Sequence, residues 1–358
     1  MASTCTDAPS VHPAVARLFS ALDGAAIRWC LLRGVDELAR PVGDVDVLVA
    51  ADRTGDLEAV ALTAGFARLP ASGHGSHRFF VTYDAGSNLW MKADLVSGLA
   101  FGRFQELRTD MAPQVLERRV RCGQLSTLSP DDAYWHLLLH CLLDKGEVRP
   151  QRRGELAERA LAAAPAGPLA TVVDTLRIPG LDAAALLAMT RASRWEDLAR
   201  AAPRVHAGWA ATHRLRARRV VLVNRVLRAA SHRWPRPSTG LTVELAGGSA
   251  AVLAVAERLT ATCPAPTRGV RYNQALGREV ARAMTGRLRG WLVVLTGAPA
   301  GGRCVALARW PKRDLVAVVP NLGGTSSLED VERAVAATVW NRWWASRQRS
   351  AVGRQATR

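Results

Sequence analysis

The stretch Gly43-Asp44-Val45-Asp46-Val47-Leu48-Val49 narrows the choice of fold more than any other part of the chain. Its alternation reads as a β-strand, in which successive side chains point to opposite faces. Val45, Val47 and Val49 take one face, and Asp44 and Asp46 the other. Two carboxylates on one face of an apolar strand repel each other unless water or a cation neutralises them. A second apolar strand, Trp90-Met91-Lys92-Ala93-Asp94-Leu95-Val96, carries a third acid, with Lys92 two residues before it on the same face. Hard divalent cations take carboxylate oxygens together with substrate phosphates, so Asp44, Asp46 and Asp94 are candidate metal ligands. Arg33-Gly34, ending an earlier strand, offers a cation and a close backbone approach.

The surrounding pattern alternates strands and helices, which predicts an α/β chain. Strands are expected over 26–32, 44–50, 78–83 and 88–96, with a helix over 54–65 closed by Gly65. A further helix is expected from Ser129 to about Lys145. Ser129 caps it, Pro130 suits the first helical position, and Asp131 and Asp132 suit the positive helix end. A helical stretch then runs to about 232. The expected organisation is a domain over 1–130, a helical segment over 131–232 packing on it, a linker over 233–240 and a smaller α/β domain over 241–346. A frayed tail is expected over 347–358.

A strand ending in a small turn, then G-D-V-D-V-L-V, a helix, and a strand bearing K-A-D-L-V together resemble the nucleotidyltransferase superfamily (polymerase-beta-like fold) over about 14–145. The resemblance implies that Asp44 and Asp46 form the metal-binding pair and that Asp94 is the third acid. The metal would be Mg²⁺, with Mn²⁺ as a substitute. The reaction implied is in-line attack of an acceptor hydroxyl on the α-phosphate of an NTP such as ATP. Arg33, Gly34 and Lys92 are then the candidate contacts to the triphosphate. One departure stands out: the family carries Gly-Ser in the turn where this chain has Arg33-Gly34. A D-x-D pair at a strand end also occurs as a merely solvated pair, and that reading stands beside the catalytic one.

His136, His140 and Asp144 recur every four residues and share one helix face. They read as residues packing against the sheet or shaping a nucleotide pocket, with a metal site as the sharper alternative. His74 and His77 read as loop residues. In the second half, Leu241 to Ser249 has the strand–Gly loop–helix form of a phosphate-binding loop but lacks its lysine. This half weakly resembles a degenerate thymidylate-kinase-like P-loop domain of the kind that follows such domains in bacteria. Gly297 to Cys304 has P-loop glycine spacing, but the segment after it reads as a strand, so it is taken as a hairpin turn.

Charge is unevenly spread: residues 1–130 hold 13 basic and 14 acidic side chains, whereas residues 131–358 hold 35 and 17. Residues 191–236 carry 12 Arg against two acids. That segment reads either as a solvated face of an amphipathic helix or as an RNA-binding patch. An RNA- or protein-directed transferase, or a non-catalytic nucleotide-binding scaffold, therefore remains beside a small-molecule enzyme. Trp340 and Trp344 share a face and fit docking of a last helix over 327–344. Six scattered cysteines read as reduced buried thiols. No stretch reaches the roughly 18 apolar residues of a membrane span, and residues 1–28 show no secretory pattern. The expectation is a cytoplasmic protein.

Overall fold

The register of the first two strands sets the geometry of the first half. In a computed structural model, β1 (Trp29–Leu31) pairs antiparallel with β2 (Asp44–Val49), Trp29 facing Val49 and Leu31 facing Val47. The structure describes residues 9–69, 74–233, 241–247, 249–263, 267–271, 292–296, 315–319 and 327–355. β1 is shorter than the expected strand because helix α1 (Pro13–Gly24) is followed by Ala26 with φ 53°. That left-handed turn keeps an extended conformation from starting before Trp29.

The other elements of this half are α2 (Leu57–Thr63), β3 (Ala67–Arg68), β4 (His77–Asp84), β5 (Leu89–Val96), β6 (Ala100–Phe101), β7 (Leu107–Arg108), α3 (Ala112–Glu117), β8 (Val120–Cys122) and β9 (Leu125–Thr127). The main sheet runs β3-β4-β5-β2-β1-β9-β8. β1 therefore lies between an antiparallel neighbour, β2, and a parallel one, β9. Sequence periodicity missed β3 and β6 to β9, since two- and three-residue strands are too short to show alternation.

Two compact units result. The first holds Met1–Ala64, Ala71–Arg78 and Ala93–Ala229. Its core is built on α4 (Pro130–Leu139), where Tyr134, Trp135 and Leu138 are fully buried. Ser129 caps α4: its hydroxyl accepts from the Asp132 N–H and donates to Asp132 Oδ2 at 2.7 Å. The expected single helix over 129–145 is two pieces. After Leu139 the chain makes a π-helical turn, His140–Lys145, ended by Gly146 at φ 78°. The helices α5 (Pro150–Ala162), α6 (Pro168–Thr175), α7 (Ala183–Arg191), α8 (Trp195–Thr212) and α9 (Arg214–Arg233) complete the segment.

The second unit holds Gly65–Pro70, Phe79–Lys92 and Ala230–Arg358. Strands β10 (Leu241–Gly247), β11 (Thr267–Arg271), β12 (Leu292–Thr296) and β13 (Leu315–Val319) form a parallel sheet ordered β11-β12-β10-β13. Helix α10 (Ser249–Thr262) follows β10. The last helix, α11 (Leu328–Gln355), covers most of the residues expected to fray. Its arginines, alanines and glutamines are good helix formers. Trp340 and Trp343 are buried in this unit, with Trp90 meeting Trp340 edge-on at 5.9 Å and the Tyr83 hydroxyl reaching the Arg333 carbonyl. The stretches read as a helix over 273–285, a turn over 297–302 and a strand over 303–310 lie outside the described residues, as do the core of the 233–240 linker and the last residues of the tail.

Not all six cysteines are reduced thiols: Cys122 is disulfide-bonded, whereas Cys30 and Cys141 are buried thiols. Burial pushes the Cys30 thiol up to about 12. No described helix is long and apolar enough to cross a membrane. Replacing Ser129 with Ala removes the cap of the core helix. We expect a loss of about 1 kcal/mol, read as a lowered thermal midpoint, with the sheet unchanged by circular dichroism.

Candidate functional site

Strand pairing delivers Arg33 to the acids. The β1–β2 pairing continues one step beyond the strands, as Leu32 N–H donates to the Asp46 carbonyl at 2.9 Å. The next residue on that edge, Arg33, therefore emerges beside the start of β2. Gly34 then turns the chain with φ 74°, a left-handed conformation that favours glycine. Asp44, the first residue of β2, is exposed, while Asp46 is buried. Asp94, on the neighbouring strand β5, is buried as well.

Arg33 is the centre of the resulting network. Its Nε donates to Asp46 Oδ2 at 2.5 Å, and its Nη1 donates to His140 Nε2 at 3.3 Å. A guanidinium only donates, so His140 Nε2 accepts and the ring proton sits on Nδ1. Nδ1 donates to Asp144 Oδ2 at 2.6 Å, and Asp144 Oδ1 accepts the Gly102 N–H. His140 opens the π-helical turn and Asp144 lies within it, a distortion that recurs at functional sites.

The electrostatics show that the acids act as one group. Burial disfavours the charged Arg33, yet Asp46 foremost, and then Asp44 and Asp94, hold its pKa above the ordinary arginine value. Asp46 is shifted up: burial is the main cause, Arg33 opposes it, and Asp94 and Asp44 add to it. Burial, more than the neighbouring acids, therefore sets the direction of the Asp46 shift.

Sequence reasoning missed the role of His77. It starts β4 rather than lying in a loop, and its Nδ1 pairs with Asp94 Oδ2 at 2.7 Å. No local pattern marks it, since its partner is 17 residues away on another strand. The other Asp94 oxygen, Oδ1, is buried without a hydrogen-bond partner. Lys92 belongs to the second unit, where its ammonium lies 4.4 Å from the centre of the Phe79 ring. His136 does not join His140 and Asp144; its ring lies beside that of Phe101, 6.0 Å between centroids. Burial, then His140, Arg33 and Arg159, push His136 down to about 3.

A cavity of about 350 Å³ lies in the same unit, lined by Ser76, Ser97, Gly98, Arg108, Thr109 and Arg216 among others. It is tied to the acids through the chain: Ser76 precedes His77, and Ser97 follows the last residue of β5. Ser76 Oγ fixes its wall by donating to the Gly98 carbonyl at 3.1 Å.

The donor set tests both ways for a divalent cation. Three carboxylates gathered around Arg33, one of them with a buried oxygen that has no hydrogen-bond partner, are the donor type a hard cation takes. In the arrangement adopted here Arg33 and His77 hold these acids, and among the described residues no cluster of three His, Cys, Asp or Glu side chains is set to bind a metal. The residues fit such an ion once Arg33 leaves Asp46. In comparisons with known proteins, the chain matches no family model, no curated protein and no solved structure.

Two titrations follow. The lowered His136 pKa means that the unfolded chain takes up a proton that the folded chain refuses. Stability present above about pH 6.5 is therefore lost as pH falls toward 3, by about 2 kcal/mol at pH 5. His136→Gln should flatten the fall in thermal midpoint between about pH 7 and pH 5. The raised Asp46 pKa works in the opposite sense, its ionisation weakening the fold above that pKa. Asp46→Asn should lose this part of the pH dependence, so that the thermal midpoint of wild type rises relative to that of the variant as pH falls from 7 toward 4.

Proposed function

We propose that the first unit is a divalent-cation-dependent nucleotidyltransferase that moves an NMP from an NTP to a hydroxyl or phosphate acceptor on a small molecule. One observation carries the reading: three carboxylates from two neighbouring strands bear on the Arg33 guanidinium. Asp44, Asp46 and Asp94 would hold Mg²⁺ or Mn²⁺. Bound there, such an ion supplies Lewis-acid polarisation of the α-phosphate and lowers the pKa of the attacking hydroxyl.

The chain's own residues account for the rest. Arg33 leaves Asp46 to pair with triphosphate oxygens, a role suited to its planar fork of donors. His140, anchored by Asp144, marks its resting position. His77 fixes Asp94 through Oδ2, which leaves Oδ1 to accept the acceptor's proton. The cavity beside Ser76 and Ser97 orients the acceptor. Lys92 is a weaker candidate for phosphate contact, because it already engages Phe79.

In the second unit the parallel sheet and the passage from β10 through Gly247 into α10 support a P-loop relative. The missing loop lysine supports a degenerate one without kinase activity.

One observation favours a second reading. The Arg33–Asp46 pair supplies a built-in cation, which suits a non-catalytic nucleotide-binding or scaffold protein. NTP labelled at the α-phosphate, incubated with Mg²⁺, cell extract and the full chain, separates the two. We expect label on an acceptor, reduced at least about 100-fold by Asp44→Asn/Asp46→Asn. A small labelled product identifies a metabolite acceptor, and a large one an RNA or protein. Absence of both transfer and Mg²⁺-dependent nucleotide binding returns the chain to the scaffold reading.

A further inference from the structure

Helix α9 presents the wrong face to solvent for an ordinary surface helix. Its inward side is narrow: Val220 and Val221 are half-buried there, between two fully covered residues. Ala217 and Asn224, seven residues apart, are buried, and Asn224 Nδ2 donates to the Phe104 carbonyl at 2.8 Å. Its outward side is apolar: Leu215 is 85% exposed, Leu222 63%, Val226 54%, Val223 44% and Leu227 41%. Leu215, Leu222 and Val226 are spaced by seven and four and so form one stripe, with Val223 and Leu227 as a second row beside it. The expectation of a helix with its arginines solvated holds, but of its aliphatic residues Val220 and Val221 are half-buried while Leu222, Val223 and Val226 are exposed. Five of the eight large apolar side chains exposed among the described residues belong to this helix.

Arginines border the stripe. Arg214, Arg218 and Arg225, spaced by four and seven, line one edge, whereas Arg219, four residues after Leu215 and three before Leu222, lies between the two apolar rows. No described acidic side chain forms an ion pair with these four; Arg216 has Asp110 at 3.6 Å. The helix itself, Arg214–Arg233, contains no Asp or Glu.

An occupant must satisfy both features. A nucleic acid uses the arginines but leaves the Leu and Val stripe in water. A second copy of the helix buries the stripe but sets arginine against arginine, with no acid on either helix to relieve the repulsion. A lipid surface with anionic headgroups answers both, with acyl chains taking the aliphatic side chains and headgroup phosphates the guanidinium groups. We propose that α9 is an in-plane anchor that docks the first unit on an anionic phospholipid membrane. The helix lies along the surface without spanning it. The anchor stands independently of the nucleotidyltransferase reading.

The test is flotation of the full chain with vesicles of phosphatidylcholine alone and of phosphatidylcholine mixed with phosphatidylglycerol. We expect binding to the mixed vesicles only, weakening at high salt. Leu222→Asp/Val226→Asp and Arg218→Glu/Arg225→Glu should each reduce it at least about tenfold. All four side chains are exposed, so circular dichroism and the thermal midpoint should not change. Leu222→Ala/Val226→Ala, which adds no charge, should give a smaller loss in the same direction.

Three outcomes overturn the proposal. In one, wild type does not float with the mixed vesicles, including the case where it binds only RNA. In another, the stripe variants float as well as wild type. In the third, sedimentation shows a dimer that Leu222→Asp/Val226→Asp dissolves, which makes a second copy the occupant.

Discussion

The ion pair between Arg33 and Asp46 is the contact on which the polar centre of the first unit depends. A buried carboxylate without a partner is among the most costly features a fold can carry. Here the partner comes from the end of one strand and the acid from the start of its antiparallel neighbour, so the register that forms the sheet also forms the pair. The guanidinium then reaches His140, and through it Asp144 and the Gly102 backbone. Sheet, π-helical turn and loop are thereby fastened at one point. Asp44 and Asp94 also bear on the guanidinium.

Much of this was readable from the residues. The alternation of Val with Asp located β2 and the acid pair, and the apolar run around Asp94 located β5. Ser129 and Pro130 announced the start of α4, and the spacing of Trp340 and Trp344 announced the packing of α11. Each of these signals is local, carried within a few residues of the feature it marks. What escaped was long-range. The pairing of Arg33 with Asp46 has no signal in its neighbours, because the acid lies 13 residues away on the next strand. His77 was assigned to a loop because its partner arrives from another strand. The four-residue spacing of His136, His140 and Asp144 does not show that the His136 ring turns to Phe101 while His140 pairs with Asp144. The sequence marked α9 as an Arg-rich amphipathic helix, but only burial shows which of its residues the protein covers. The disulfide at Cys122 has no local signature either.

The two halves of the molecule use charge differently. Around β2 and β5, acids are gathered, buried and held against one arginine, so that small movements of Arg33 change the field sharply. Along α9, arginines are spread on the surface, where solvent screens each and only their number matters. The first arrangement suits selection of a compact ion or phosphate. The second suits an extended partner whose charges are delocalised over an area.

The second unit is discontinuous in the chain, and this bears on how the protein comes to be folded. Tyr83 and Trp90 belong to its core, yet the Arg333 carbonyl and Trp340 that meet them follow some 250 residues later. As the chain leaves the ribosome, at about 5–20 residues per second, the hairpin formed by β4 and β5 emerges with one end of its apolar surface uncovered. It stays so for tens of seconds, until α11 has been made. A nascent chain in that state presents aromatic residues to its surroundings and is a natural client for a holding chaperone. For the same reason, cutting the gene between the two halves cannot yield two intact bodies. The fragment ending near Ala229 keeps the hairpin, and the fragment that begins there lacks part of its own core.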